Sequence, residues 1–331
     1  MYDLILGFPE QLQKALALGT QIKTSTPKHE IRNVLIGGLG GSGIGASIVE
    51  SLLASHLRVP YSITKTYDVP AFVDAHTLFI ASTFSGNTEE TLAALEEARQ
   101  RGAHIFCLTS GGKALALAQQ EGYDFVQMPN EAPCPRAFLG YSLVQLLHIL
   151  PLYGLTSTHL GPDLETAQRQ LAQNQADIQT QAKALAQTLV NKLPIVYGDT
   201  KIGPVLVRLQ QQINENAKQL CHINIFPEMN HNELVGWGLP AEHYQNTVVW
   251  MVKTDFDHPR VRTRMEICQT IFSAKTSALY LIQAEGQSLT EQVIYLIHLF
   301  DWVSYYLAEQ NQVDAFEIDV INFLKNELAK I

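Results

Sequence analysis

The sequence has few cysteines, and no two of them are spaced as metal ligands or redox pairs usually are. Four cysteines stand at positions 107, 134, 221 and 268 of a chain of 331 residues. Without a C-x-x-C pair, the sequence predicts neither a zinc site nor a framework of disulfide bonds. We therefore expect four buried thiols and no metal site.

The chain also lacks long apolar runs and an excess of positive charge. No apolar stretch approaches the roughly 20 residues of a membrane span, and Met1 to Asp3 lack the basic flank of a signal peptide. We therefore expect a cytoplasmic protein that does not contact a membrane. The net charge of −9 argues against nucleic acid as a partner and against broad electrostatic capture of anions. Any bound phosphate must then be held by local groups.

What the chain does contain is a cluster of hydroxyl groups at a predicted strand-to-helix turn. The apolar run at 77–81 predicts a buried parallel strand, and residues at helical spacing follow the turn. Between the two lie Thr83, Ser85, Gly86 and Thr88. The first amides of a helix lack internal partners, so this turn is predicted to bind phosphate. The alternative is a simple helix cap, but capping needs only one hydroxyl. No lysine follows the glycine, so the turn is not a Walker loop.

A second turn, rich in glycine, follows a predicted strand at 33–37. Its Gly38-x-Gly40-x-x-Gly43 pattern matches the dinucleotide fingerprint, which would indicate a nicotinamide oxidoreductase. That fingerprint also needs an acidic residue ending the next strand, and this chain reaches Asp68 only after that strand. In a doubly wound sheet both turns open at the carboxyl ends of neighbouring strands, so Gly41 and Ser42 are expected to face the hydroxyl cluster. One monophosphate held by two loops fits this arrangement better than a pyrophosphate.

Strands and helices alternate along both halves of the chain. The first half has predicted strands at 33–37, 61–64, 77–81, 104–108 and 124–127, with helices at 44–55, 88–101 and 113–120. The second half has predicted strands at 195–197, 222–226, 247–252 and 279–284, with helices from 204 and at 260–271, 291–308 and 314–328. A helix to about residue 150 and another at 164–190 would bridge them. This alternation predicts two α/β domains with doubly wound parallel sheets, at 1–152 and 191–331, joined by helices at 153–190.

Two polar clusters stand out in the second half. Asn214-Glu215-Asn216 lies on a predicted helix although asparagine lowers helix propensity, which indicates that the cluster faces a site. The alternative is a solvated Glu215 that pairs with Lys218 or Gln219. His231 and Glu233 belong to a polar run after a predicted strand. They are too sparse to form a metal site, and a structural histidine remains the alternative.

Together these motifs resemble those of the bifunctional phosphoglucose/phosphomannose isomerases, a branch of the SIS (sugar isomerase) domain proteins. The resemblance rests on Gly40-Gly41-Ser42-Gly43, 85–91, Pro135-Arg136, 214–218, Asn230-His231-Asn232-Glu233 and 257–260. It covers almost the whole chain. It implies two SIS domains of the flavodoxin-like, α/β/α sandwich type, and a homodimer whose active sites lie near the interface.

The resemblance also implies an activity, that of an aldose-ketose isomerase for hexose 6-phosphates. It assigns binding of the sugar phosphate to Gly41, Ser42, Thr83, Ser85 and Thr88. Arg136 would stabilise an enediolate, and Glu215 would be the base that moves a proton between C2 and C1. His231, donated by the neighbouring subunit, would open the sugar ring with help from Lys325. Glucose 6-phosphate and mannose 6-phosphate would be converted to fructose 6-phosphate without metal or cofactor.

The chain departs from the family pattern in two places. Thr83 stands where the family often has serine, which keeps the hydroxyl. Asp314-Ala315-Phe316-Glu317 replaces a commoner Asp-Pro-Thr-like sequence in a region that the family associates with accepting mannose. The resemblance thus supports the glucose activity more strongly than the mannose activity. For Lys325, a solvated lysine at a helix end is the alternative.

Two other functions compete with isomerisation. A SIS protein that only senses a sugar phosphate would need the hydroxyl groups of the first domain, and Glu215 and His231 would then be surplus. A nicotinamide oxidoreductase comes third, because it leaves the hydroxyl cluster without a role.

Overall fold

The computed structural model describes residues 1–132, 134–239, 241–328 and 330, and it contains two compact units. The N-terminal unit comprises residues 7–169, and the C-terminal unit comprises residues 1–6 together with 170–331. Each unit contains one parallel sheet, so the prediction of two α/β domains is confirmed. Ile331, the last residue of the predicted second domain, lies outside the described residues.

The sheet of the N-terminal unit has five parallel strands in the order β2-β1-β3-β4-β5. The strands are β1 (Asn33–Gly37), β2 (Tyr61–Thr64), β3 (Thr77–Thr83), β4 (His104–Thr109) and β5 (Asp124–Gln127). Every residue of β3 is buried, as expected for an apolar strand with both faces covered. The strand order reverses between β1 and β3. In sheets of this kind a ligand crevice opens beyond the carboxyl ends of the two strands at that reversal.

The helices of the first half include one that begins earlier than predicted. They are α1 (Tyr2–Leu6), α2 (Phe8–Gly19), α3 (Gly40–Leu53), α4 (Glu89–Gln100), α5 (Gly112–Glu121) and α6 (Leu139–Leu152). Helix α3 was expected at 44–55, but its first turn is formed by the glycine-rich segment itself. The reason is close packing, because a Cβ atom at Gly43 would lie 2.4 Å from the carbonyl oxygen of Gly38. Gly41 and Ser42 therefore lie in the first helical turn rather than in a loop.

The single helix predicted at 164–190 is wrong, since this stretch contains two helices. They are α7 (Gly161–Gln173) and α8 (Gln175–Leu189), and Asn174 separates them. Asn174 has φ −103° and ψ 16°, outside the helical region, and it takes the N-cap position of α8. Its side chain makes no capping hydrogen bond, so the break is made by the backbone angles of Asn174 and not by a side-chain cap.

The sheet of the C-terminal unit has four parallel strands in the order β7-β6-β8-β9. The strands are β6 (Leu193–Asp199), β7 (His222–Phe226), β8 (Thr247–Lys253) and β9 (Ala278–Gln283). The helices are α9 (Gly203–Ala217), α10 (Glu233–Gly236), α11 (Pro259–Ser273), α12 (Leu289–Gln310) and α13 (Asp319–Leu328). In the described part of the chain, no helix is both long and apolar enough to cross a membrane.

The last helix begins five residues later than the predicted start at residue 314. The amide of Phe316 donates a hydrogen bond of 2.8 Å to Oδ1 of Asp314, which closes a turn before α13. A short aspartate side chain competes with the helix for backbone donors in this way. We call residues 311–318, between α12 and α13, the C-terminal connector.

A buried ion pair joins α9 to α12. The guanidinium of Arg208 donates two hydrogen bonds to the carboxylate of Asp301, at 2.6 Å and 3.1 Å. The amide of Gln212 donates a third, at 3.0 Å. Because both charged side chains are almost completely buried, the bidentate geometry and the extra donor are needed to offset their desolvation. This pair fixes the helix that carries Glu215.

Candidate active site

The two turns singled out in the sequence leave adjacent strands of the N-terminal unit. Strand β1 pairs with β3 in parallel, with Gly37 beside Ala81. The glycine-rich turn follows β1, and the hydroxyl-bearing turn follows β3. Both turns therefore lie at the carboxyl edge of the sheet, where the strand order reverses.

Thr83 and Thr88 form one hydroxyl pair in this region. Thr83 ends β3 and is buried, and its Oγ1 lies 2.9 Å from Oγ1 of Thr88. Thr88 occupies the N-cap position of α4, but its side chain makes no capping hydrogen bond. The simple-cap alternative is therefore wrong for Thr88, whose hydroxyl is directed to Thr83. The first amides of α4 therefore receive no capping hydrogen bond from the side chain of Thr88.

Ser85 lies in the tight turn between these threonines. Its side chain is exposed, and its Oγ accepts a hydrogen bond of 3.2 Å from the amide of Asn87. Gly86 has φ +69°, and a Cβ atom there would lie 1.7 Å from the carbonyl oxygen of Gly111. The turn after β3 is thus packed directly against the turn after β4. This contact fixes the backbone of the turn that carries Ser85.

Arg136 lies beside the first turn of α3. It belongs to the short 3-10 helix Pro135–Phe138, and only 8% of it is exposed. A Cβ atom at Gly41 would lie 3.6 Å from the Cα of Arg136, which is an ordinary van der Waals distance, so the two segments are close neighbours. Ser42, the next residue of α3, is also buried. The structure therefore places Gly41, Ser42 and Arg136 in one neighbourhood.

In the C-terminal unit, Glu215 lies in the last turn of α9 and is half-buried. It lines a cleft of about 320 Å³. The other residues of the lining are Asn214, Lys218, Gln219, Leu220, Glu317, Ile318, Val320 and Ile321. The cleft thus lies between the end of α9 and the start of α13. A carboxylate in such a partly covered position can accept a proton from a bound molecule.

The three residues of the Asn214-Glu215-Asn216 cluster have different surroundings. Asn214 is exposed, whereas Asn216 is completely buried. The amide of Asn216 donates a hydrogen bond of 2.9 Å to Oγ of Ser304 on α12. Asn216 therefore anchors the end of the helix, and only its neighbours Asn214 and Glu215 line the cleft.

His231 is exposed at the end of the 3-10 helix Glu228–His231, which follows β7. Its neighbour Asn230 is held from α11, because Nη1 of Arg264 donates a hydrogen bond of 3.1 Å to Oδ1 of Asn230. Asn232 donates from its amide to Oε1 of Glu228, at 3.1 Å. The backbone around His231 is therefore fixed by its neighbours while the imidazole is accessible.

Glu233 is the centre of a hydrogen-bond network that sequence reasoning missed. Its carboxylate accepts a hydrogen bond of 2.5 Å from the hydroxyl of Tyr197 and one from the amide of Asn224. Nε2 of His222 lies 2.9 Å from the same carboxylate, and Nε1 of Trp237 donates to the hydroxyl of Tyr197 at 3.0 Å. The register of β6 and β7 pairs Tyr197 with Asn224. The sequence signal for this network was limited to the polar side chains of Tyr197, His222 and Asn224 in two largely apolar strands.

The network changes the pKa of several of its members, among them Glu233 and His222. Burial acts to raise the pKa of Glu233, but hydrogen bonds from His222, Asn224 and Tyr197 outweigh it and hold that pKa below its ordinary value. The hydrogen bond to Glu233 raises the pKa of His222, against the opposing effect of partial burial. Glu233 is therefore an ionised anchor for the segment that carries His231.

Lys325 lies on α13, which buries none of its residues. Val320 and Ile321 of the same helix line the Glu215 cleft, but Lys325 is not among the described lining residues. Among the residues that the structure describes, no group of three or more His, Cys, Asp or Glu is placed to hold a metal ion. The four cysteines are buried thiols, as predicted.

Comparison with known proteins defines the class. The chain matches the SIS domain model at residues 29–147 and the bacterial phospho-glucose isomerase C-terminal SIS domain model at residues 178–328. It also resembles a solved structure, the C-terminal domain of glucosamine-fructose-6-phosphate aminotransferase from Francisella tularensis, with a TM-score of 0.76. That match covers 95% of this chain and 97% of the other at 14% identity, so it shows the fold alone. The protein is therefore built from two SIS domains.

Full-length relatives narrow the class to one family. The chain is 36% identical to a bifunctional phosphoglucose/phosphomannose isomerase from Caldicellulosiruptor bescii, over 100% of this chain and 99% of the relative. It is 34% identical to the protein of that name from Aquifex aeolicus, over 100% and 98%. The chain belongs to the family of bifunctional phosphoglucose/phosphomannose isomerases, as the sequence motifs predicted.

Proposed function

We propose that this protein is an aldose-ketose isomerase that interconverts glucose 6-phosphate and fructose 6-phosphate through a cis-enediol intermediate. Mannose 6-phosphate is the proposed second aldose, because C2 becomes planar in the intermediate and can be protonated on either face. The observation that carries the proposal is the end-to-end similarity to proteins named for both activities. Such an enzyme would act in the cytoplasm, in glycolysis and gluconeogenesis.

The proposal assigns the phosphate to the N-terminal SIS domain, residues 1–152. The proposed ligands are Gly41, Ser42, Thr83, Ser85 and Thr88. Their position at the carboxyl edge of the sheet supports this role, as does the lack of side-chain caps on α3 and α4. Since the net charge is −9, amides and hydroxyls suit this task better than a broad positive surface would.

The proposal assigns the chemistry to the C-terminal SIS domain, residues 191–331, which helices at 153–190 join to the first. Glu215 removes the proton from C2 of the open-chain aldose and returns it to C1. The electrons of the broken C–H bond form the enediolate, and the charge on its oxygen is stabilised by Arg136. A half-buried carboxylate in a cleft supports the role of Glu215. No metal or cofactor takes part in the proposed reaction.

Ring opening is assigned to His231 and Lys325. His231 would move a proton between the ring oxygen and the anomeric hydroxyl, and Lys325 would assist. We propose that His231 serves the active site of a neighbouring subunit in a homodimer. The exposure of His231 on a segment anchored by Glu233 supports this proposal.

Proton exchange at C2 tests the proposed function directly. Glucose 6-phosphate and mannose 6-phosphate would each be incubated with enzyme in D₂O and followed by NMR. Wild type is expected to exchange the C2 proton of both sugars, and Glu215→Gln is expected to lose this exchange. Glu317→Gln is the matched control, because it removes another carboxylate from the same cleft.

Two other results of this exchange experiment would change the proposed function. Exchange with glucose 6-phosphate alone would restrict the enzyme to one epimer. Binding without any exchange would contradict the proposed function and favour a protein that senses sugar phosphates.

A further inference from the structure

The ammonium group of Lys218 donates to three main-chain oxygens and also lies 3.8 Å from Oε2 of the Glu317 carboxylate. Its Nζ donates hydrogen bonds to the carbonyl oxygens of Glu215, Asp314 and Glu317, at 2.8, 2.8 and 2.7 Å. A lysine ammonium has three N–H donors and no acceptor. Although Lys218 lines the Glu215 cleft, it has no donor left for a bound molecule.

These three bonds join two separate parts of the C-terminal unit. One part is the last turn of α9, which carries Glu215, and the other is the C-terminal connector. Carbonyl groups in the last turn of a helix lack partners within the helix, so a lysine at the helix end can bind them. A further hydrogen bond joins the same two parts, because the side-chain amide of Asn311 donates to the carbonyl oxygen of Ala217 at 3.0 Å.

The backbone conformation of Lys218 is one that a lysine rarely adopts. The residue has φ 54° and ψ 34°, in the left-handed region that glycine and asparagine tolerate best. The left-handed backbone of Lys218 is unfavourable for a lysine, and the three hydrogen bonds of its side chain offset that cost.

We propose that Lys218 is a positioning residue that holds the C-terminal connector against the last turn of α9. It thereby fixes the base Glu215 relative to the opposite side of the cleft, which Ile318, Val320 and Ile321 form. This inference rests on the proposed function only in the role given to Glu215. The contact between connector and helix can be measured without any activity.

The test uses substitutions that suit the left-handed backbone. Lys218→Asn and Lys218→Gly remove the ammonium without adding backbone strain, and Lys218→Arg keeps a cation with several donors. Lys192→Asn is the matched control, since Lys192 also donates to a main-chain carbonyl, that of Gln245. Hydrogen exchange of the connector amides and the steady-state constants for glucose 6-phosphate are the two readouts.

We expect the Asn and Gly variants to exchange the connector amides at least about 10-fold faster than wild type. Their kcat should fall by about 10- to 100-fold because Glu215 is no longer held in place. KM should change by less than about 3-fold, since the phosphate ligands are elsewhere in the chain, and the melting temperature should not fall. Lys218→Arg should recover much of the loss, and Lys192→Asn should resemble wild type.

Unchanged exchange of the connector in both the Asn and Gly variants would overturn the inference. A fall in kcat that came with a clear rise in KM and a lower melting temperature would also overturn it, because that pattern indicates general destabilisation. If wild type itself failed to isomerise any hexose phosphate, the proposed function would fall, and the exchange data would still decide whether Lys218 holds the connector.

Discussion

The hydroxyl oxygens of Thr83 and Thr88 lie 2.9 Å apart, one at the end of β3 and the other at the N-cap of α4. The last residue of β3 and the N-cap residue of α4 thus share a hydrogen bond across the four residues 84–87. Because one of the two hydroxyls donates its proton within this pair, the other keeps its O–H free to donate to an anion at the positive end of the helix.

Removing one of these hydroxyls should weaken phosphate binding. In Thr88→Val we expect KM for glucose 6-phosphate to rise about 10-fold, since a hydrogen bond to a charged group is worth about 1.5 kcal/mol or more. Thr88→Ser should stay close to wild type. Thr91→Val is the matched control on the same helix, because the buried Thr91 hydroxyl has no hydrogen-bond partner among the described residues. Equal KM values for Thr88→Val and Thr91→Val would contradict this role.

Gly86 should tolerate no side chain. We expect Gly86→Ala to lower the free energy of unfolding of the N-terminal unit by at least about 3 kcal/mol, from backbone strain and a clash with Gly111. Gly122 has a similar φ of +71°, and a Cβ atom there would meet nothing within 4 Å. Gly122→Ala should therefore lose only the free energy of backbone strain, about 1 kcal/mol. Urea unfolding followed by circular dichroism measures both. Similar losses in the two variants would show that the contact with Gly111 carries no energy.

The pair formed by His222 and Glu233 should make the stability of its segment depend on pH. The pKa of His222 is raised above about 6.5, so its contribution is complete below that value and is lost as pH rises through the raised pKa. The pKa of Glu233 is lowered from 4.5, so its contribution is lost as pH falls through the lowered pKa. The pair is therefore strongest between about pH 4.5 and 6.5.

Melting curves of wild type, His222→Gln, Glu233→Gln and the double variant measure this coupling. The coupling should be largest between about pH 4.5 and 6.5 and should decline towards pH 8. It should also be small, because His222 is about half exposed and solvent screens the pair. A coupling that grew steadily with rising pH would refute the assignment.

The ion pair between Arg208 and Asp301 should be sensitive to the loss of one partner. Arg208→Met leaves the carboxylate of Asp301 buried without its cation, and we expect a loss of about 3 to 5 kcal/mol in the free energy of unfolding. Arg99→Met is the control, since the pair of Arg99 with Glu96 is exposed and should contribute far less. If the two variants unfolded at the same urea concentration, burial of the pair would not matter.

Much of the fold follows directly from the sequence. The bounds of β1, β2, β5 and β7 were predicted to the residue, because short apolar segments between turn residues are typical of buried parallel strands. The start of α3 was missed because glycine usually indicates a loop, whereas here Gly43 permits a helical turn to pack closely against Gly38, directly after β1. The break at Asn174 was missed because glutamine and alanine on both sides favour a helix.

The candidate site was only partly predictable. The hydroxyls of Thr83 and Thr88 were found because they lie close together in sequence. The network around Glu233 was not, because it brings together residues of two strands and a loop through the register of β6 and β7. The bonds of Lys218 to Asp314 and Glu317 join segments almost a hundred residues apart, and local patterns carry no information about such contacts.

Because residues 1–6 belong to the C-terminal unit, they fold against residues that are synthesised much later. Tyr2 packs against Trp302, with ring centres 4.9 Å apart, and its hydroxyl donates to Gln179. These partners are synthesised only after the whole N-terminal unit. Tyr2 can therefore bond to Gln179 once that residue has been translated, but it completes its native contacts only after Trp302. The order of synthesis and the order of assembly differ in this protein.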